Sequence, residues 1–249
     1  MKILAIDTSS SALGIAITDE ETMLAEFTQN KALTHSEKLM PLIDTMLTNI
    51  DENINQMDAI ACSIGPGSFT GIRIGVATAN AFSMARNIPI VGVSSLEAMA
   101  YNFKYTDYVV VATMYAQRED YYRGIYRFEN EKLIVIKDEE AISFEEIADE
   151  IRKIKLDGKN VVVLGELNSR LKGISDENSS KSVLINNCIL ADKTLNQINA
   201  SNLCEIARDI IRNKGKEELP RYIEPVYIRK PQAEVQYEEK LKALEKSGE

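Results

Sequence analysis

The stretch Ile64-Gly65-Pro66-Gly67-Ser68-Phe69-Thr70-Gly71-Ile72-Arg73-Ile74-Gly75 follows an apolar segment, residues 58–64, and opens a run of small residues that reaches Arg86. Gly65-Pro66-Gly67 predicts a turn, because glycine tolerates positive φ and proline fixes its own φ. Gly67, Gly71, Gly75 and Ala79 then recur every four residues, which on a helix forms one stripe with almost no side chains. The stretch therefore predicts a strand, a turn and a helix whose backbone another element or a ligand can approach closely.

Composition places the chain among ordinary globular proteins. Its 249 residues suffice for one large domain or two small ones, and 45% are hydrophobic and 27% charged. No apolar run approaches the roughly 18 residues that span a bilayer, and the N-terminus reads as a first strand, not a signal peptide. The three scattered cysteines predict buried free thiols in a reducing cytoplasm. A net charge of −9 argues against nucleic-acid binding by this chain alone.

The pattern of apolar residues divides the chain into two similar halves. The first predicts strands over 2–7, 12–18, 22–28, 58–64 and 88–94, with helices over 39–50, 69–86 and 95–102. The second predicts strands over 108–114, 121–128, 132–137 and 160–165, helices over 144–153 and 201–212, and a polar, loop-rich segment over 169–187. Three strands followed by α-β occur in both halves, which indicates a duplication. We expect domains over 1–104 and 105–219, with the last helix (about 201–213) able to pack back on the first domain, and a tail over 220–249.

Several local signals refine these elements. Pro41 predicts a late start or a kink in its helix, and Ser95 is expected to cap the helix that follows it. Ser143 and Glu146 have the spacing of a capping box. Ser68 does not fit the Gly-x-Ser-x-Gly pattern of hydrolases, because Thr70 replaces the second glycine; Ser68 or Thr70 is instead expected to cap the glycine-rich helix.

Asp7, at the end of the first strand, is a candidate for a nucleotide site. An acid there can hold a metal-bound water next to a phosphate; alternatively it hydrogen-bonds the amides of the turn over 8–10. A working cleft also needs a phosphate loop from the second half. The corresponding residues, 161–168, contain one glycine and an acid, Glu166, that would repel phosphate. Independent ATP hydrolysis is therefore not expected.

His35 and Arg73 each have a functional and a structural interpretation. His35 is the only histidine, so it cannot build a histidine metal site, and we expect it to cap a helix or lie at the core edge. Arg73 projects away from the small-residue stripe. It meets an acid of a partner or a phosphate at a subunit junction, or it forms an exposed or intramolecular salt bridge.

Two duplicated three-strand α/β units with Asp7-Thr8-Ser9 at the first hairpin turn resemble the actin-like ATPase (ribonuclease H-like) superfamily. The fold class expected is thus α/β, a duplicated actin-like fold in two domains. The run GPGSFTGIRIG at 65–75 resembles, more narrowly, the TsaB (YeaZ) family, with further matches over 35–41, 90–98 and 224–229. That family is the non-catalytic, dimerising subunit of the bacterial complex that makes threonylcarbamoyladenosine beside the tRNA anticodon.

The resemblance implies partners but no chemistry of its own. The expected partner is TsaD, the catalytic paralogue, with a TsaE-type ATPase on the heterodimer, tRNA reached through the complex, and no membrane. TsaD carries a His-x-x-x-His metal pair where this chain has Ser95 and Met99, so no metal is expected. No cofactor of its own is implied, while ATP or ADP at a heteromeric junction, and a homodimer of the chain alone, stay open. The family's usual Asp-Ala-Arg is replaced here by Tyr115-Ala116-Gln117.

Because the family pairs through helices of the first domain, the resemblance places the interface there. The expected interface residues are His35, Leu39, Ile43, Phe69, Thr70, Gly71, Arg73, Ile74, Gly75, Thr78 and Ala79, and the expected remnant of a nucleotide site is Asp7, Thr8 and Ser9. For the stripe, an internal helix-on-sheet contact stays open as the alternative. Two other functions also stay open: an independent ATPase or small-molecule kinase of the same superfamily, and a glycoprotease-like hydrolase, which would need the missing metal pair.

Overall fold

A computed structural model describes residues 1–30, 34–117, 119–172 and 188–229. The first half forms a five-stranded sheet in the order β3-β2-β1-β4-β5. Its strands are β1 (Ile3–Asp7), β2 (Leu13–Thr18), β3 (Met23–Gln29), β4 (Ala59–Gly65) and β5 (Ile90–Ser94). The first three strands are antiparallel neighbours, and β4 and β5 continue the sheet in parallel with β1.

The second half repeats this arrangement. Its strands are β6 (Val109–Gln117), β7 (Asp120–Glu129), β8 (Lys132–Ile142), β9 (Val161–Gly165) and β10 (Ile189–Leu190). Listed from β8, their order is β8-β7-β6-β9-β10, which is the order of the first sheet. The hairpins are again antiparallel, and β9 is again parallel to the first strand of its half. This is the duplicated actin-like α/β fold that the sequence predicts.

Helices cover the sheets. They are α1 (His35–Asn49), α2 (Phe69–Arg86), α3 (Ser95–Ala100), α4 (Phe144–Leu156), α5 (Glu166–Lys172) and α6 (Ala200–Lys214). Helix α1 begins before Pro41, so of the two alternatives predicted for this proline the late start is wrong. The loop predicted over 169–187 was wrong in part. Residues 169–172 belong to α5 and not to a loop, and the rest of the predicted loop, 173–187, lies outside the described residues.

Side chains cap three of these helices. Ser68 caps α2 by accepting a hydrogen bond from the Gly71 amide, which settles the choice between Ser68 and Thr70. The capping box of α4 is confirmed, with both reciprocal hydrogen bonds between Ser143 and Glu146 present. The predicted cap at Ser95 was wrong by one residue, because the Ser94 hydroxyl is the group that accepts from the first amides of α3.

Three apolar clusters hold the layers together. One lies between the first sheet and helices α1 and α2, and another lies between the second sheet and helices α4 and α5. The third joins the two halves through α3 and α6. Helix α6 packs on the first sheet: Cys204 is buried beside Ile3, and Arg208 donates a hydrogen bond of 2.7 Å to the Thr18 hydroxyl. The domain limits at 104 and 219 stay a prediction.

After α6 the chain returns along the first half as an extended segment, Leu219–Arg229, which we call the C-terminal strap. The Ile90 amide donates to the Pro220 carbonyl at 2.9 Å, and the Val226 amide donates to the Ile64 carbonyl at 2.8 Å. The strap thus runs beside β4 and β5 and over α2. The predicted tail from residue 230 onward lies outside the described residues.

Candidate functional site

Asp7 lies at the end of β1 and is almost fully buried, with 1% of its surface exposed. Its Oδ1 accepts hydrogen bonds from the Ser9 amide (3.0 Å), the Ser9 hydroxyl (2.7 Å) and the Ser63 hydroxyl (2.6 Å). Burial raises the pKa of Asp7, although the bonds from Ser63 and Ser9 act in the opposite direction. Of the two predicted roles for Asp7, the structure shows the hydrogen bond to an amide of the turn over 8–10.

A cleft of about 530 Å³ separates the two halves above this turn. Residues of both halves and of the strap line it: Ser9, Ser10, Ser11, Gly67, Ser68, Phe69, Met114, Tyr115, Ala116, Gln117, Tyr122, Glu166, Tyr227 and Arg229. Four of these are aromatic. Among the described residues that line the cleft, Glu166 and Arg229 alone are charged, and Arg229 forms an ion pair with Asp120 of β7.

Glu166 is the first residue of α5 and confirms the expectation that an acid faces the cleft. Burial raises the pKa of its carboxyl group, while hydrogen bonds from its own amide and the Tyr115 amide partly oppose that shift. A carboxyl group in this position disfavours a polyphosphate, because an ionised acid repels a phosphate and a buried one has little room to move away.

The small-residue stripe of α2 packs inside the chain. A Cβ atom on Gly67 would clash with the Ser9 carbonyl oxygen, and one on Gly71 would clash with that of Thr8. The Thr8 hydroxyl also donates a hydrogen bond of 2.7 Å to the Gly71 carbonyl. Gly75 faces the same threonine side chain, and Ala79 lies in the core. Assigning Gly71, Gly75 and Ala79 to an interface was therefore wrong, and the internal alternative is what the structure shows.

Two predicted interface residues of α1 are also core residues. Leu39 and Ile43 are 1% exposed and pack in the cluster beneath α1 and α2, so neither can line a partner surface. The spacing of Leu39, Ile43, Met46 and Leu47 already marks the inner face of an amphipathic helix. His35 lies at the start of α1, half-buried, with its Nε2 3.0 Å from the Ser10 carbonyl oxygen. It therefore fixes the turn that lines the cleft.

The solvent side of α2 is uncharged along most of its length. Thr70 and Arg73 are exposed, and Phe69, Ile74 and Thr78 are partly exposed, so these five predicted residues remain available to a partner. The prediction missed other exposed residues of the same face: Ala77, Ala81, Met84 and Ala85. No charged residue occurs between Ile74 and Ala85, and that absence was visible in the sequence.

Arg73 makes aromatic contacts within the chain. Its Nε donates a hydrogen bond of 2.8 Å to the Tyr227 hydroxyl, and its guanidinium carbon lies 3.9 Å from the centre of the Phe69 ring. The two rings are themselves in contact, with centroids 4.8 Å apart. This stack connects α2 to the strap at the rim of the cleft.

Comparisons with known proteins find relatives named for tRNA threonylcarbamoyladenosine formation. A family model described as "TsaD: tRNA N6-adenosine threonylcarbamoyltransferase" matches residues 22–237. The tRNA threonylcarbamoyladenosine biosynthesis protein TsaB of Bacillus subtilis is 35% identical over 165 residues, which are 66% of this chain and 71% of the relative. The protein of the same name from Buchnera aphidicola is 32% identical over 182 residues, 72% of this chain and 83% of the relative. The chain belongs to the TsaB (YeaZ) family.

Solved structures support the fold of this TsaB-family chain. YeaZ from Pseudomonas aeruginosa superposes with a TM-score of 0.69 at 22% identity, covering 91% of this chain and 99% of the other. A second structure, described as similar to peptidase YeaZ, gives 0.73 at 21% identity, covering 92% and 99%. The family thus links the chain to tRNA threonylcarbamoyladenosine biosynthesis.

Ser95 and Met99, the positions that the resemblance predicts in place of the paralogue's histidine pair, lie on α3. Ser95 is fully buried and Met99 is 3% exposed. Within the ranges that the structure describes, no three His, Cys, Asp or Glu side chains group as metal ligands would, and no helix is both long and apolar enough to cross a membrane. Of the cysteines, Cys62 and Cys204 are buried, and burial raises the pKa of the Cys204 thiol to about 12.

Proposed function

We propose that this chain is the non-catalytic subunit that pairs with TsaD and activates it for threonylcarbamoyl transfer to the tRNA adenosine beside the anticodon. The observation that carries this proposal is the uncharged outer face of α2. Met84 is 77% exposed there, and Ala77, Ala81 and Ala85 flank it in solvent. The centre of a protein interface is depleted of charge in the same way.

Helix α1 extends this surface. Met40 is 50% exposed, and its neighbours Pro41 and Asp44 are exposed beside it. We assign the partner surface to the exposed residues of α1 and α2 together, since the two helices cover the same side of the first sheet. The same face serves for a homodimer when the partner is absent. A TsaE-type ATPase is then assigned to the heterodimer, and tRNA to the complex as a whole.

A non-catalytic role fits the chemistry of the two candidate centres. The Asp7 Oδ1 accepts hydrogen bonds from Ser9 and Ser63, and the cleft above it is lined by an acid from the second half. The residues aligned with the paralogue's metal pair are a serine and a methionine. Such a subunit changes the rate by favouring one conformation of its neighbour.

The test is threonylcarbamoyladenosine formation on unmodified tRNA by the reconstituted partners, with and without this chain. The proposal expects omission to abolish product, while the chain alone neither makes product nor hydrolyses ATP. Unchanged product without the chain would overturn the proposal.

A pair of variants tests the surface itself. Ala81→Glu places a charge on the outer face of α2, and we expect TsaD affinity to fall more than tenfold because that charge would be buried without a partner. Leu156→Glu adds the same charge to the exposed end of α4, where Leu156 is 81% exposed, and should leave affinity unchanged. Equal affinity of both variants and the original chain would remove α2 from the interface.

A further inference from the structure

The cleft between the halves combines aromatic walls with one uncompensated acid. Tyr115 and Tyr122 contribute two rings, and Phe69 and Tyr227, which already contact the Arg73 guanidinium, contribute the other two. Arg229 brings no net charge, because Asp120 pairs with it at the rim. The other lining residues that the structure describes are neutral, so the lining carries the charge of Glu166 when its carboxyl group is ionised.

One of the two oxygens of the Glu166 carboxyl group has no hydrogen-bond partner among the described residues. That oxygen, Oε2, is buried, while the amides of Tyr115 and of Glu166 itself hydrogen-bond to the carboxyl group. The two amides therefore leave part of the carboxyl group's hydrogen-bonding capacity unused.

We propose that this cleft binds an organic cation, an alkylammonium or guanidinium group, with Glu166 as counter-ion. Aromatic rings attract such cations through their faces, and the attraction strengthens in a site shielded from water. The cation pairs with the Glu166 carboxylate that lines the cleft, and the neutral serine and glutamine side chains complete a polar rim. The inference does not depend on pairing with TsaD.

The first experiment compares two isosteric probes by calorimetry on the full-length chain. n-Butylguanidinium should bind saturably, whereas n-butylurea, which has the same shape without the charge, should bind at least tenfold more weakly. Equal binding of the two probes, no saturable binding of the cation, or tight binding of magnesium ATP in its place would overturn the proposal.

Variants then assign the counter-ion. Glu166→Gln keeps the size of the side chain and should weaken n-butylguanidinium binding at least tenfold. Glu119→Gln is the matched control, since it removes the same charge from a side chain that is 81% exposed and outside the cleft, and it should bind as the original chain does. If Glu166→Gln binds as tightly as the control, the proposal fails.

A second variant does not touch the acid. Tyr115→Leu removes one aromatic wall while keeping the amide that holds Glu166, and should weaken binding by about threefold to tenfold. Unfolding midpoints establish that each variant folds. Acetyl-glycyl-arginyl-glycinamide distinguishes the source of the cation: binding at least as tight as n-butylguanidinium points to a basic side chain of a protein, and exclusion of the peptide points to a free small molecule.

Discussion

Helices α2 and α4 both cover a sheet, and they do so in opposite ways. Helix α4 buries large side chains, among them Phe144, Ile147 and Ile151, and exposes charged ones. Helix α2 buries glycine and alanine in its stripe, and between Arg73 and Arg86 it exposes a face without charge that includes Met84. A charged outer face is stable in water alone, whereas an uncharged one of this length is typical of a surface that a partner covers.

In a helix rich in small residues, the uncharged outer face indicates an interface, whereas the glycine stripe does not. The repeating glycines explain why α2 lies close to Thr8, and that contact is internal. The outer residues, alanine and methionine with no charge among them, are the ones that distinguish α2 from α4.

The largest effect should come from breaking the inner contact of α2. Gly71→Leu would drive a side chain into the Thr8 backbone, and we expect the free energy of unfolding to fall by about 4 kcal/mol or more. Ala77→Leu, on the exposed face of the same helix, should change it by less than about 0.5 kcal/mol. Urea denaturation of both variants measures the difference. Similar stabilities would mean that the stripe is not internal.

The buried flank of α2 also holds the strap. The Asn80 side chain donates to the Ile223 carbonyl (2.9 Å) and accepts from the Ile223 amide (3.0 Å). Asn80→Ala leaves both backbone groups without this partner and should cost about 2–3 kcal/mol in the free energy of unfolding. Limited proteolysis should then cleave near Ile223 before any site in α4. Unchanged proteolysis and stability would contradict this role of Asn80.

Asp7 lies next to the threonine on which α2 packs, and its titration should give the chain a specific pH dependence. Its pKa is raised in the folded protein from the ordinary value of 3.8, so the folded state holds the proton more tightly than the unfolded state does. Stability from this group therefore falls as pH rises from about 4 through the raised pKa. Asp7→Asn should flatten that part of the pH profile in denaturant titrations. A variant profile with the same slope would exclude Asp7 as its source.

The smallest expected effect lies on α4. Ser143→Ala removes the capping box and should destabilise the chain by about 1 kcal/mol. The pairing affinity for TsaD should stay the same, because α4 is outside the proposed partner surface. A loss of pairing in this variant, measured by sedimentation, would extend the interface to the second half.

Much of the fold was predictable because its signals are local. Apolar strand patterns and turn residues gave the order of elements in both halves, and the cap at Ser143 needed only four consecutive residues. The inner side of α2 was not predictable, since glycine and alanine occupy both faces and leave little amphipathic contrast. The cleft was not predictable either: Phe69, Tyr115 and Tyr227 come from distant parts of the chain and meet only through the packing of two sheets.

Because the chain returns to the first half in α6 and the strap, the first half cannot complete its packing before the second half has been synthesised. Residues 200–229 complete the core and edge of the first sheet, although they are synthesised after the whole second half. Domains generally fold in the order of synthesis, but here the first half lacks part of its hydrophobic layer until the ribosome has passed residue 229. A stop before α6 would leave a nascent sheet with its apolar surface in water, and a chaperone that recognises such surfaces would meet this half of the molecule first.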